Sequence, residues 1–167
     1  MTSRDRARHK GRRESGTFVL IPHDVMDSLN WRACGGTAIK LLCDLARQFN
    51  GKNNGDLGAS LTLLIPRGWS SSETVGNALR ELRHYGLILL TRQGGLHGPS
   101  LYALTWKPIN DCKGKLDVPA TTLPPGDWKE PREEPFERPK RKRKQNATPE
   151  SDVARIGIRS DGVKKAA

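Results

Sequence analysis

The sequence predicts a mainly α fold with a small β-hairpin, set as one domain between two charged tails. Three observations predict it. Stretches 36–49 and 70–85 repeat apolar residues at helical spacing. Two β-capable runs, 87–92 and 100–106, flank a Gly-rich turn. The charge lies at the ends of the chain. The 167 residues carry a net +11. Residues 1–13 hold six basic residues and one acid, 14–108 hold nine and seven, and 109–167 hold fourteen and ten, giving +5, +2 and +4.

The domain is therefore expected over residues 17–109. Residues 1–16 read as a disordered basic arm and 110–167 as a disordered, Pro-rich, charged tail. Seven of the eleven prolines fall in the tail, and its apolar residues keep no sustained period. Such a segment cannot bury enough apolar surface to offset its ordering entropy. Hydrophobic residues make up only 35% of the chain, against about 45–50% apolar usage, glycine included, in packed domains.

Within the domain, Thr17-Phe18-Val19-Leu20-Ile21 reads as a short strand or extended arm that stops at Pro22. Residues 23–29 read as one or two helical turns. In helix 36–49, Ala38, Leu42, Leu45 and Phe49 share one face, with Ile39, Leu41 and Ala46 beside them. Thr37 is a candidate cap for its start. Asn50-Gly51 and Asn54-Gly55 end it, because Asn and Gly tolerate positive φ. Residues 57–60 read as a short extended piece, and 61–67 as a poorer helix broken late by Pro66.

Gly68-Trp69 turns the chain into helix 70–85. Ser70 and Glu73 stand at capping-box spacing. Val75, Ala78, Leu79 and Leu82 form its apolar stripe, and Ser70, Glu73, Asn77, Arg80, Glu81 and His84 its polar side. Gly86 ends it as a residue just past a helix does. The hairpin follows, with its tip at 93–99, and Pro108 closes the domain.

Helix, turn, helix with one polar face, then hairpin, is the order of a winged helix-turn-helix. Ser70, Ser71, Ser72, Thr74, Asn77, Arg80 and His84 are the candidate DNA-binding residues of its recognition helix. Hydroxyls and helix N-terminal amides suit phosphate, Asn pairs with adenine, and Arg pairs with guanine. Arg92, Gln93 and His97 are the candidates on the wing. Arg4, Arg6, Arg8, Lys10, Arg12 and Arg13, with Lys140, Arg141, Lys142, Arg143 and Lys144, are candidates for non-specific phosphate contacts. With the middle of the chain at only +2, specific affinity has to come from a few placed groups, while the ends supply the salt-sensitive part.

The chain resembles a winged-helix family encoded on proteobacterial plasmids, prophages and integrative elements. The strings that carry the resemblance are Asn-Gly-Lys-Asn-Asn-Gly-Asp-Leu (50–57), Gly-Trp-Ser-Ser (68–71), Ala-Leu-Arg-Glu-Leu (78–82), Gly-Leu-Ile (86–88), and the wing from Thr-Arg-Gln-Gly-Gly (91–95) to Pro-Ser-Leu-Tyr-Ala-Leu-Thr-Trp (99–106). They span 18–108. The wing string is the more specific; Ala-Leu-Arg-Glu-Leu recurs in many winged helices. Pro66 departs from the pattern, standing where many members continue a helix. The domain is also similar to the DNA-binding part of some phage and plasmid replication initiators. The resemblance implies a bacterial, cytoplasmic, nucleoid-associated protein of a mobile element that binds double-stranded DNA. Its expected role is transcription regulation or replication initiation, with replication or transcription proteins as further partners. No heptad or long helix follows Trp106 to support dimerisation.

Other readings compete. The polar face of helix 70–85 also suits a winged helix that binds protein rather than DNA and works through its charged tail. Glu73 and Glu81 support that alternative, since carboxylates near phosphates oppose binding. Trp31, Trp69 and Trp106 read as packing residues, and Trp128 as isolated in the tail, a candidate docking motif. The acidic stretch 130–137 precedes the basic run 138–144, so the tail has the means to fold back on itself. Cys34, Cys43 and Cys112 are odd in number and widely spaced, which argues against disulfides and structural zinc. Two are expected as small core residues and one as an exposed thiol. His9, His23, His84 and His97 show no metal spacing, and no Gly-rich phosphate loop follows a strand. No enzyme activity and no cofactor are expected. No apolar run of about 18 residues marks a membrane span, and no apolar segment follows the basic start to mark a secretory signal.

Overall fold

The structure, a computed structural model, describes residues 17–96 and 98–139. The expectations for residues 1–16, for His97 and for 140–167 lie outside the described residues. Five helices precede a hairpin: α1 His23–Met26, α2 Leu29–Ala33, α3 Gly36–Ala46, α4 Leu61–Leu64 and α5 Ser72–His84. The strands are β1 Leu57–Gly58, β2 Ile88–Arg92 and β3 Leu101–Leu104. They form one antiparallel sheet in the order β1-β3-β2. The result is a helix-rich domain with a β wing.

α3 and α5 form where the apolar spacing predicts. Ala38, Leu41, Leu42 and Leu45 of α3 bury their side chains with Val75, Ala78 and Leu82 of α5, joined by Leu57, Leu64, Leu87, Leu104 and Trp106. α3 is shorter than expected, ending at Ala46; Phe49 packs on the core from the turn that follows. Its start has Gly35 as cap residue with no side-chain cap, so Thr37 does not cap it. α5 is capped by Ser71, whose Oγ accepts from the Thr74 amide at 3.3 Å. The cap thus stands one residue later than the Ser70–Glu73 spacing suggests, and Ser70 lies exposed ahead of the helix.

The expected extended piece at 57–60 is the two-residue strand β1, with Leu57 opposite Tyr102 and Gly58 opposite Leu101. The Gln48 side-chain amide bonds both polar groups of Gly58, at 2.8 and 3.0 Å, and so extends the sheet edge. Residues 17–21 form neither strand nor helix, and Phe18 is 77% exposed. α4 passes into a 3₁₀ turn, Ile65–Arg67, with Pro66 near its start. The proline lacks an amide hydrogen and tightens the helix instead of continuing it. Gly68, at φ +82, then turns the chain towards α5.

Asp44 of α3 holds that turn. Its Oδ2 accepts from the Trp69 indole at 2.7 Å and from Lys40 at 3.1 Å, and the Arg67 guanidinium lies 3.6 Å from its Oδ1. Lys40 also donates to the Arg67 carbonyl and lies over the Trp69 ring. One carboxylate thereby fixes the angle at which α5 leaves α4.

The domain does not stop at Ile109. Residues 110–139 fold back over it as a strap, correcting the expected tail boundary. Asp117 donates its amide to the Thr91 carbonyl and accepts from the Gln93 amide. Thr121 bonds Ile109, and Gly126 bonds Thr105. Lys115 pairs with Asp56 at 2.6 Å. Trp128 and Phe136 pack against the core, so Trp128 is engaged inside the domain rather than isolated. Asn30, 1% exposed, anchors the strap: its amide donates to the carbonyls of Trp128 (3.1 Å) and Glu130 (2.7 Å), and its oxygen accepts from the Arg132 amide (2.9 Å). Gly86, at φ +63, confirms the predicted end of α5. A Cβ there would lie 2.7 Å from the Asp127 carbonyl, so glycine also admits the strap.

Asn54 makes a second anchor. It is fully buried, and its amide donates to the carbonyls of Leu104, Lys107 and Pro108 while its oxygen accepts from the Leu104 amide. It therefore holds the end of the sheet as well as following α3. None of the three cysteines is a core residue: Cys34 and Cys112 are half-buried and Cys43 is exposed.

Candidate nucleic-acid interface

α5 presents a graded face. Ser72, Thr74 and Arg80 are exposed, Ser71 and Asn77 half-buried. The Arg80 guanidinium donates to the Asn77 carboxamide oxygen one turn earlier, so the two candidate base readers are held as a pair. Glu73 is exposed in the first turn. Its charge favours the helix start, where the peptide dipoles leave a partial positive charge.

Glu81 behaves differently from its predicted place on the polar side. It is 7% exposed, and its Oε1 accepts from the Gly35 amide at 2.6 Å. Gly35 opens α3 without a cap of its own, and the carboxylate of α5 satisfies an amide that the helix start leaves without a partner. Glu81 is thus a joint between α3 and α5, not a charge on the exposed face. The sequence signal was the Gly35-Gly36 pair at a helix start, which needs an acceptor from elsewhere.

His84 is also drawn out of the predicted set. Its Nε2 is 2.8 Å from the Glu134 carbonyl, and its ring meets Phe136 at a tilt of 52°, 5.8 Å between centroids. The strap covers it. Phe136 donates its amide to the Tyr85 hydroxyl, and Arg138 lines a small cleft with Thr74 and Asn77. The strap therefore runs along one flank of α5, from its last turn towards its first.

The wing is a hairpin with a register shift between Leu90 and Arg92 and a bridge between Gly95 and Gly98 at its tip. Arg92 lies across that tip and donates to the Pro99 carbonyl. Gln93 is exposed at the wing's base, its amide held by Asp117. The other wing candidate, His97, and the phosphate-contact candidates of both ends lie outside the described residues.

Between α5 and β2 an open groove of about 520 Å³ is lined by Arg80, Arg83 and His84, the backbone of Gly86, Ile88–Leu90, and Asp127 and Arg132 of the strap. Arg83 and Arg132 are exposed and were absent from the sequence-predicted set. Arg83 follows Arg80 by three residues, the helical spacing of neighbours; Arg132 has no local signal, because only the strap's fold brings it here. Burial pushes the Tyr102 hydroxyl up from its ordinary range, while a bond from Ser100 and the nearby Arg83 charge work the other way. Among the described residues, no group of three or more His, Cys, Asp or Glu is placed to hold a metal ion, and no helix is long and apolar enough to cross a membrane. Comparison with protein-family models, curated proteins and solved structures finds no match.

Proposed function

We propose that the chain is a winged helix-turn-helix protein that binds double-stranded DNA with sequence preference. The supporting observation is topological: α3-β1-α4-α5-β2-β3 with sheet order β1-β3-β2, α4 and α5 joined by a tight turn, and α5 exposing short polar side chains away from the core. In such a domain α5 enters the major groove by its N-terminal half, and the hairpin lies against the adjacent backbone. Ser72, Thr74, Asn77 and Arg80 are the reading set; Arg92 and Gln93 serve the wing. Ser71 caps α5 by accepting the Thr74 amide, and the start of a helix is a favourable place for a phosphate.

The sequence resemblance supports a role in a mobile genetic element, in transcription regulation or replication initiation, within the cytoplasm. The reading includes no catalytic step. Selection of bound duplexes from a random library tests it. A recovered consensus, bound with an affinity that falls steeply with salt, is the expected result. Recovery of no consensus, with all binding lost when residues 1–16 and 140–167 are removed, would refute the reading role of α5.

A further inference from the structure

We infer that the groove between α5 and β2 is a phosphate-binding site, built from Arg80 and Arg83 of α5 together with Arg132 of the strap. The inference deepens the DNA reading and rests on it for the source of the phosphate; the charge argument stands without it. Three arginines line one open groove with a single acidic residue, Asp127. Among the described residues none of the three arginines makes an ion pair; the pairs present involve Lys40, Arg67 and Lys115.

Clustered like charges repel, and an open groove that holds three of them gains by taking an anion. Guanidinium is suited to phosphate because its planar donor fork matches two oxygens at once. The groove is also prepared for its charge. Asn30 fixes the backbone of Arg132 by accepting its amide hydrogen, while Arg80 rests with its guanidinium on Asn77, one turn back from the groove, and has to swing to join the other two. Gly86 lets Asp127, and with it the strap, approach the end of α5. The site joins residues from the middle and the end of the domain's sequence, and its third cation is there only because the strap is docked.

On duplex DNA this places a backbone phosphate at the last turns of α5, while the first turns face the bases. Arg80 then stands at the border of the two: bonded to Asn77 it faces the bases, and released from Asn77 it reaches the phosphate. A phosphate on a free nucleotide offers the same chemistry.

The test uses the full chain and the double variant Arg83→Gln/Arg132→Gln. Both positions are exposed, so folding is expected to survive, and a thermal melt checks it. Lys52→Gln, on the exposed loop after α3, is the control. Duplex affinity is measured across a series of salt concentrations, and ATP binding by calorimetry. If the groove holds a backbone phosphate, the slope of log affinity against log salt falls by about 0.9 in the double variant, its preferred sequence is kept, and Lys52→Gln keeps the wild-type slope. If the phosphate belongs to a nucleotide, the wild type binds ATP saturably and the double variant at least tenfold more weakly, with the DNA slope unchanged. An unchanged slope with no arginine-dependent ATP binding overturns the site. Wild-type protein that binds no duplex at all refutes the DNA reading, and the ATP arm alone then decides the groove.

Discussion

Replacing Asn30 with Ala tests whether the strap belongs to the fold. The side chain makes three hydrogen bonds to the strap's backbone, at 3.1, 2.7 and 2.9 Å, and is 1% exposed. A bond between neutral groups contributes about 0.5–1.5 kcal/mol net, so three lost together amount to about 2–4 kcal/mol. The loss has a ceiling. Residues 126–139 are able to leave the domain and return their carbonyls to water, so the variant cannot lose more than the strap's own docking energy by this route. Part of that energy is the packing of Trp128 and Phe136 on the core. Two measurements separate the cases. Urea unfolding followed by tryptophan fluorescence gives the global loss, and amide exchange at Arg132 and Phe136 reports docking, because those amides are bonded to Asn30 and to the Tyr85 hydroxyl. The expected result is a loss of about 2–4 kcal/mol, or a smaller loss with faster exchange at both amides. Stability within about 0.5 kcal/mol of wild type with both amides still protected would refute the reasoning.

Three further predictions concern the helix, the thiols and the reading pair. Ser71→Ala is expected to cost about 1 kcal/mol as a lost cap, while Ser70→Ala stays within about 0.5 kcal/mol; the reverse order by thermal melts would restore the earlier helix start. Burial, with the Glu81 carboxylate beside it, pushes the Cys34 thiol up to about 12. Because the thiolate is the reactive form, alkylation of Cys34 should rise about tenfold per pH unit from pH 8 towards pH 11, and a plateau near pH 9 by mass spectrometry contradicts this. Asn77→Ala and Arg80→Ala are each expected to relax selectivity by about 1–3 kcal/mol at one base pair. Since the two side chains are bonded to each other, the double variant should lose less than the sum by at least about 0.5 kcal/mol; strict additivity in a binding cycle counts against the pair acting together.

The elements legible in the sequence are those whose apolar residues repeat. α3 and α5 have stripes at helical spacing, and the hairpin has two β-capable runs around Gly94-Gly95. Even β1, two residues long, showed as an extended break between turn signals. The strap was not legible, because Trp128 and Phe136 pack against the core singly among prolines, with no period for a pattern to catch. Apart from two short 3₁₀ turns, Cys112–Gly114 and Asp127–Lys129, its backbone bonds go to side chains such as Asn30 and to distant carbonyls. Glu81 was misplaced for a related reason. A helical wheel ranks positions against one neighbour, and Glu81 faces a second one, the bare start of α3. Of the candidate interface, the first turns of α5 were readable. Of the arginine groove only Arg80 was read: Arg83 was passed over despite its helical spacing, and Arg132 arrives there through contacts that span about a hundred positions of sequence.

Those long contacts have a kinetic side. Asn30 meets partners 98, 100 and 102 residues downstream, so the chain has to close one of its widest loops to complete the groove. Contacts of high sequence separation form late, after nearer ones have repaid the entropy of closure. During synthesis α3, α5 and the hairpin are made before residues 126–139. A newly made chain therefore passes through a stage with its helical face exposed and its phosphate groove one arginine short. Docking of the strap is then also the step that brings Arg132 to Arg80 and Arg83.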